Sequence, residues 1–269
     1  MDLPITEHRV RVAGHAYRIL RVRRLGRAVL WEHPEFVEIR VDRTAASRLG
    51  SAWLLAARSR RSLVHVPIPA AESAVPDPPG EARAADAVLP PVGAEPDDAA
   101  AADDVHVRAA TGAGLLLVHH SAQFPASRWK AVRARLGAGE PHRVALRPAD
   151  FDREARRAEA APRRGGPRRP GRRGGPYGDR IREETAAGTV VLTGSVAAFG
   201  AFSESLLALA RHSAHEEARM RAKGLHHCAE LVPHGGWLAP RARSLHVVLV
   251  IPGAKEAESG PNRPCPPRS

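Results

Sequence analysis

The chain opens on alternation. Between residues 8 and 41, Val10, Val12, Tyr17, Ile19, Val22, Val29 and Trp31 fall in β-prone runs, with Ala13-Gly14-His15 and Leu25-Gly26-Arg27 as turns. Phe36–Val41 alternates cleanly, with Val37, Ile39 and Val41 on one face and Glu38 and Arg40 on the other. Together these runs predict an N-terminal β-meander. The period then becomes helical over about 44–59, where Leu49, Trp53 and Ala56 share a stripe. It returns to strand over Leu63–Ile68, which Pro67 and Pro69 bring to an end.

Further along, Leu115–His119 is a short apolar run that predicts a buried strand. Pro125 suits the first position of a helix whose seam is Trp129, Val132 and Leu136 and whose stop is Gly137. Val144–Leu146 predicts another strand, and a short helix is predicted near 179–187, closed by Gly188. Thr189–Thr193 reads as a strong strand that Gly194 and Ser195 turn into a long helix. The buried stripe of that helix is Phe199, Phe202, Leu206 and Leu209. Cys228–Val232 and Leu245–Ile251 predict two more strands, the second so apolar that it belongs inside a sheet. Strands alternating with helices predict an α/β or α+β fold, a mixed sheet with helices packed on it.

Two segments lack any such period. Residues 70–104 are rich in Ala, Pro, Asp and Glu and contain no aromatic residue. Residues 153–178 contain the run Pro-Arg-Arg-Gly-Gly-Pro-Arg-Arg-Pro-Gly-Arg-Arg-Gly-Gly-Pro, too dense in Gly and Pro for a helix or strand. Neither buries enough apolar surface to offset chain entropy of about 1–2 kcal/mol per ordered residue, so both are expected to be disordered insertions. The chain thus divides into a β-rich segment with one helix (1–69), an acidic linker (70–104) and a first part of the α/β core (105–152). The Arg/Gly/Pro insertion (153–178), a second part of the core (179–252) and a disordered tail (253–269) follow. Whether 1–69 joins the later sheet is left open by the pattern.

Composition changes how the basic residues are read. Arg outnumbers Lys 38 to 3, and net charge is +12. Arg, Ala, Gly and Pro have GC-rich codons, so a GC-rich bacterial genome fills unconstrained positions with them. An Arg run is therefore weaker evidence for nucleic-acid binding here than in a chain of balanced usage. The charge is also divided, because 70–104 carries 1 basic and 9 acidic side chains while 153–180 carries 10 and 3. These two insertions could screen each other. Cys228 and Cys265 lie far apart, the second in a Pro-rich tail, which fits a reducing cytosol. No apolar run approaches the ~20 residues that span a bilayer. The opening Met-Asp-Leu-Pro-Ile-Thr-Glu-His lacks the charged and apolar regions of a secretory signal, so a cytoplasmic protein is expected.

Candidate chemistry is of two kinds. Leu115–Val118 runs into His119-His120-Ser121, and Thr189–Leu192 runs into Thr193-Gly194-Ser195, each ahead of a helix. If the two strands are parallel neighbours, these six residues converge where open α/β sheets bind ligands, beside a helix N-terminus that favours anions. The structural alternative makes Ser195 a helix N-cap and the histidines packing residues. The second kind is a polyanion site at Arg163, Arg164, Arg168, Arg169, Arg172 and Arg173, whose guanidinium forks suit phosphate oxygens. Its alternative is a composition-biased loop with no partner.

His226, His227, Cys228 and His234 cluster along the chain, as do His212 and His215 on a predicted helix. Their spacing matches no zinc pattern, so no metal site and no cofactor are expected. Trp237 after Gly235-Gly236 either caps a crevice or packs on a sheet edge. Phosphate-loop, nucleophile-elbow and dinucleotide glycine motifs are absent from the sequence. The residues support a binding or regulatory protein with an anionic partner, nucleic acid or another polyanion. The alternatives are an enzyme acting on an anionic small molecule at 119–121 and 193–195, and a protein-interaction scaffold.

Overall fold

A computed structural model describes residues 2–68, 114–146, 180–223, 225–233 and 237–250. Both insertions and the C-terminal tail, expected to be disordered, lie outside the described residues. The fold is mixed α/β, and its strands form two mixed sheets. In chain order the strands are β1 (Asp2–Val12), β2 (His15–Val22), β3 (Ala28–Glu32), β4 (Phe36–Val41), β5 (Ser62–Pro67) and β6 (Gly114–His119). β7 (Glu140–Ala145), β8 (Arg182–Ala186), β9 (Thr189–Gly194), β10 (Cys228–Leu231) and β11 (Ser244–Leu249) follow. The seven-stranded sheet has the order β7-β1-β2-β5-β6-β9-β8, and the four-stranded sheet β10-β11-β4-β3.

The N-terminal meander divides between the sheets. Its first hairpin turns at Ala13 and Gly14, both at positive φ, and stays in the large sheet. Its second hairpin, β3–β4, joins the small one. Strands of residues 1–69 therefore pair with later strands in both sheets: β5 with β6, and β4 with β11.

Two long helices fill the space these sheets share. α1 (Arg43–Arg58) starts at Asp42, whose carboxylate accepts from the Ala45 N–H at 2.6 Å. The sequence shows one apolar stripe on α1, yet 11 of its 16 residues are buried. A helix buried nearly all round lies inside the core rather than on a sheet's outer surface. α3 (Val196–Arg211) crosses it, and one core cluster joins both helices to the inward faces of both sheets. The crossing is close because Gly50 has no side chain: a Cβ there would meet Leu207 Cγ at 2.9 Å and the Ser203 carbonyl at 3.2 Å. Ser203 Oγ donates to the Gly50 carbonyl at 2.8 Å across the same contact.

The other face of the large sheet carries a smaller core. A single-turn helix, α2 (Trp129–Arg133), covers it with Trp129 and Val132, packed on Val10, Ile19, Leu63, Leu116, Val118 and Val191. The expected helix from Pro125 to Gly137 is shorter than its pattern, with a 3-10 turn at Ala126–Arg128 leading into α2. Beneath α2, the buried side-chain atoms His8 Nε2, His65 Nδ1 and Trp129 Nε1 have no hydrogen-bond partner.

Residues 182–186, expected to be helical, form strand β8. The cause is the turn that follows. Ala187 and Gly188 both take positive φ, the geometry of a two-residue hairpin loop, and Ala186 pairs with Thr189. The long helix also ends sooner than a continuous pattern suggests. The chain leaves helical geometry at His212, and Ser213 starts α4 (Ala214–Ala222) with a reciprocal Ser213–Glu216 cap. His212 and His215 thus do not share a helix.

One ion cluster ties the sheets together. Arg243 donates to Glu183 and Thr185 on β8, at 2.6 and 2.7 Å, and to Glu32 and the His33 carbonyl beside β3, at 3.2 and 3.3 Å.

The helix crossing generates a stability prediction. Alanine in a helix interior is favoured over glycine by ~1 kcal/mol, while overpacking costs about 1–3 kcal/mol. Because the buried Leu207 side chain, 2.9 Å from where the Cβ would sit, has little room to move aside, Gly50→Ala is expected to destabilise the protein. In a Leu207→Ala background the same change is tolerated. Urea unfolding of the four-member cycle checks this, and equal effects in both backgrounds would place the crossing elsewhere.

Candidate functional site

The predicted site residues come together. β6 and β9 are adjacent and parallel, with Val118 opposite Thr193 and His119 opposite Gly194. The chain leaves the two strands toward opposite faces of the sheet. After β6, Phe124 and Trp129 join the outer core, whereas after β9, Phe199 and Phe202 join the inner one. Adjacent parallel strands with diverging connections make the kind of switch point at which α/β sheets open a crevice.

His119 has the parity of Leu115 and Leu117, so it faces the inner layer. It is 3% exposed. Its Nδ1 lies 2.7 Å from Ser121 Oγ, which in turn donates to the Arg60 carbonyl at 2.9 Å. Its Nε2 is buried without a hydrogen-bond partner. Burial pushes the imidazole down to about 4, helped by the charges of His120 and Arg60, so the ring is neutral at pH 7. His120 is exposed and tilted over His119, with ring centroids 4.4 Å apart.

On the second strand, Thr193 is partly exposed and Gly194 is buried. A Cβ on Gly194 would come within 2.9 Å of Ile181 Cγ1 and 3.1 Å of Phe199 Cε1, so glycine is there for packing. Ser195 is the N-cap of α3, its Oγ accepting from the Ala198 N–H at 3.2 Å. The next N–H groups of that first turn, on Val196 and Ala197, have no partner within the helix.

A cation that the sequence reading did not include joins this group. Arg60 lies in the loop between α1 and β5, because β5 runs antiparallel to β6 and brings its start to the end of β6. The visible signal is Ser-Arg-Arg-Ser between a predicted helix and a predicted strand. The polyanion candidates Arg163, Arg164, Arg168, Arg169, Arg172 and Arg173 lie outside the described residues. Trp237 is exposed, and its carbonyl accepts from the Ile181 N–H at 2.6 Å.

No family model, curated protein or solved structure matches the chain. No helix among the described residues is long and apolar enough to cross a membrane.

The buried imidazoles set a pH dependence. His65, 5% exposed and edge-on to Trp129, is pushed down to about 3 by burial and by the charges of Arg21, Arg133 and His8. His119 and His65 both fall from an ordinary value of 6.5, so the unfolded chain binds more protons than the folded one below that pH. Their stabilising contribution is present above pH 6.5 and is lost as pH falls toward about 4 and about 3. Two carboxyls extend the loss below their usual value of 4.5. Glu7 is held at about 2 by its bond to Arg18, and Glu38 at about 2 by His246 and Arg40 against the upward push of burial. Unfolding free energy is expected to fall from pH 7 to pH 5, by at most ~1.4 kcal/mol per pH unit for each such histidine. The slope should be shallower in His65→Leu and in His119→Gln. Denaturant unfolding across this range measures it, and a slope unchanged by both variants would show that neither ring is buried neutral.

Proposed function

We propose that the protein binds an anionic small molecule at the ends of β6 and β9. The observation that carries this reading is the parallel His119–Gly194 pairing with diverging connections. Two features support the sign of the ligand's charge, and a third offers it a neutral hydrogen-bonding partner. The start of α3 offers N–H groups and the positive end of a helix dipole. Arg60 stands close enough for its charge to act on His119. The neutral His119 ring holds Nε2 without a partner, ready to donate or accept one hydrogen bond. Binding requires the groups around that nitrogen to part, since it is sealed from solvent.

Substitutions at Ser195 separate a cap from a site. Ser195→Ala removes the cap and lowers stability by about 1 kcal/mol. Ser195→Asp still caps the helix but places a carboxylate where the anion would sit. Thermal unfolding with inorganic phosphate, sulfate and nucleotides is the measurement. The wild type is expected to be stabilised by at least one of them, with the shift reduced in Arg60→Ala and abolished in Ser195→Asp. No shift in the wild type, or a full shift in Ser195→Asp, would make these strand ends purely structural.

A further inference from the structure

A second cluster lies on the outward face of the small sheet, away from α1 and α3. Ala229 and Leu231 of β10 face the core, so Cys228 and Glu230 face out. Extending the same alternation back along the chain puts His226 on that face too. The Leu249 N–H donates to the His227 carbonyl at 3.0 Å, so the extended pairing reaches this far. On β11, Leu245, Val247 and Leu249 face in and His246 faces out, directly opposite Glu230. A His-x-Cys-x-Glu run along β10 and the residues just before it therefore meets a histidine on β11.

The donor atoms of His226, Cys228 and His246 all lie within 4.8 Å of one another. The two Nε2 atoms are 3.4 Å apart, and Glu230 Oε1 is 3.4 Å from His246 Nε2. Ligand nitrogens held ~2.0–2.1 Å from a tetrahedral zinc ion sit ~3.3 Å from each other, so the nitrogen pair already has the edge length of such a site. Behind His246, the Glu38 carboxylate faces Nδ1 at 3.7 Å. Arg40 Nε donates to Glu38 at 2.7 Å, and its guanidinium stacks over Trp31 at 4.7 Å. A carboxylate behind the far nitrogen of a ligand histidine is the usual outer support of a zinc site.

We propose that His226, Cys228 and His246 bind one zinc ion, with the Glu230 carboxylate beside the fourth position. The donor set is two imidazoles and a thiolate, which suits zinc and excludes magnesium or calcium, both of which take oxygen ligands. Binding releases the Cys228 thiol proton, and the thiolate together with the nearby Glu230 and Glu38 carboxylates balances the added charge. The ion would pin the chain ahead of β10 to β11. This site is independent of the β6/β9 strand ends.

The test uses full-length protein carrying Cys265→Ser, stripped with chelator and titrated with Co²⁺ as a spectroscopic probe for zinc. One equivalent is expected to bind with the visible bands of tetrahedral cobalt and a near-ultraviolet thiolate-to-cobalt band, and one equivalent of zinc should displace it. Cys228→Ala should lose the near-ultraviolet band. His226→Asn and His246→Asn should each weaken zinc binding by more than the ~10–100-fold typical of an outer-shell loss, while His215→Asn leaves it unchanged. Circular dichroism of each metal-free variant checks folding. Should the histidine variants not fold, the cobalt spectrum of the parent and of Cys228→Ala decides. Octahedral cobalt spectra, a thiolate band that survives Cys228→Ala, or full zinc affinity in both folded histidine variants would overturn the proposal.

Discussion

The fold depends on how closely two helices approach. Gly50 and Ser203 let the α1 and α3 backbones meet with a side-chain-to-carbonyl bond between them. A bulkier residue at position 50 would push the helices apart. α1 packs on strands of both sheets and α3 on the small sheet, so the separation would be felt by each sheet in turn. The low aromatic content of the chain makes this sharper. A core of Leu, Val and Ala has little to spread into a gap, although Trp53 packs edge-on against Phe199 and tilted against Phe202 at the same interface.

From this layer the site residues inherit their places. α3 holds Ser195 at its N-terminus, and its Phe199 packs against Gly194. α1 delivers the loop that carries Arg60. The strand ends are thus approached from two helices that are locked to each other. By contrast, the His226–His246 cluster sits on the small sheet's outward face, which the helices do not touch.

Much of this was legible in the sequence because alternation and helical stripes report burial. The strands expected at Phe36–Val41, 63–68 and 189–193 are found as β4, β5 and β9, and Leu192, Leu206 and Leu249 are buried within the elements that the pattern assigns them. The mixed α/β class follows from the same periods. What escaped was information held between segments. β8 is polar because it is an edge strand, so its charged residues resemble a solvated helix, and only the Ala187-Gly188 turn shows otherwise. That the meander would split between two sheets depends on pairings with strands far along the chain. His246 looked like a blemish in an apolar strand, yet its single outward position places it beside His226 and Cys228. Arg60 was hidden for a similar reason, since only the antiparallel β5–β6 pairing brings its loop to the strand ends.

The parallel pairing of β4 with β11 has a consequence for how the molecule is made. Residues 36–41 pair with residues 244–249, so β4 must wait for about two hundred further residues before its second edge is paired. A ribosome emits the β3–β4 hairpin early, with Val37, Ile39 and Val41 uncovered on one face and one backbone edge unsatisfied. Such long-range closures are slow, and edges left open during synthesis recruit other chains. The polar outer face of β4, with Glu38 and Arg40 already able to pair within one strand, gives the nascent hairpin a soluble side while it waits. The late arrival of β11 then completes the sheet and also sets Arg243 between Glu32 and Glu183, so the segment that closes the small sheet also fastens β3 to β8.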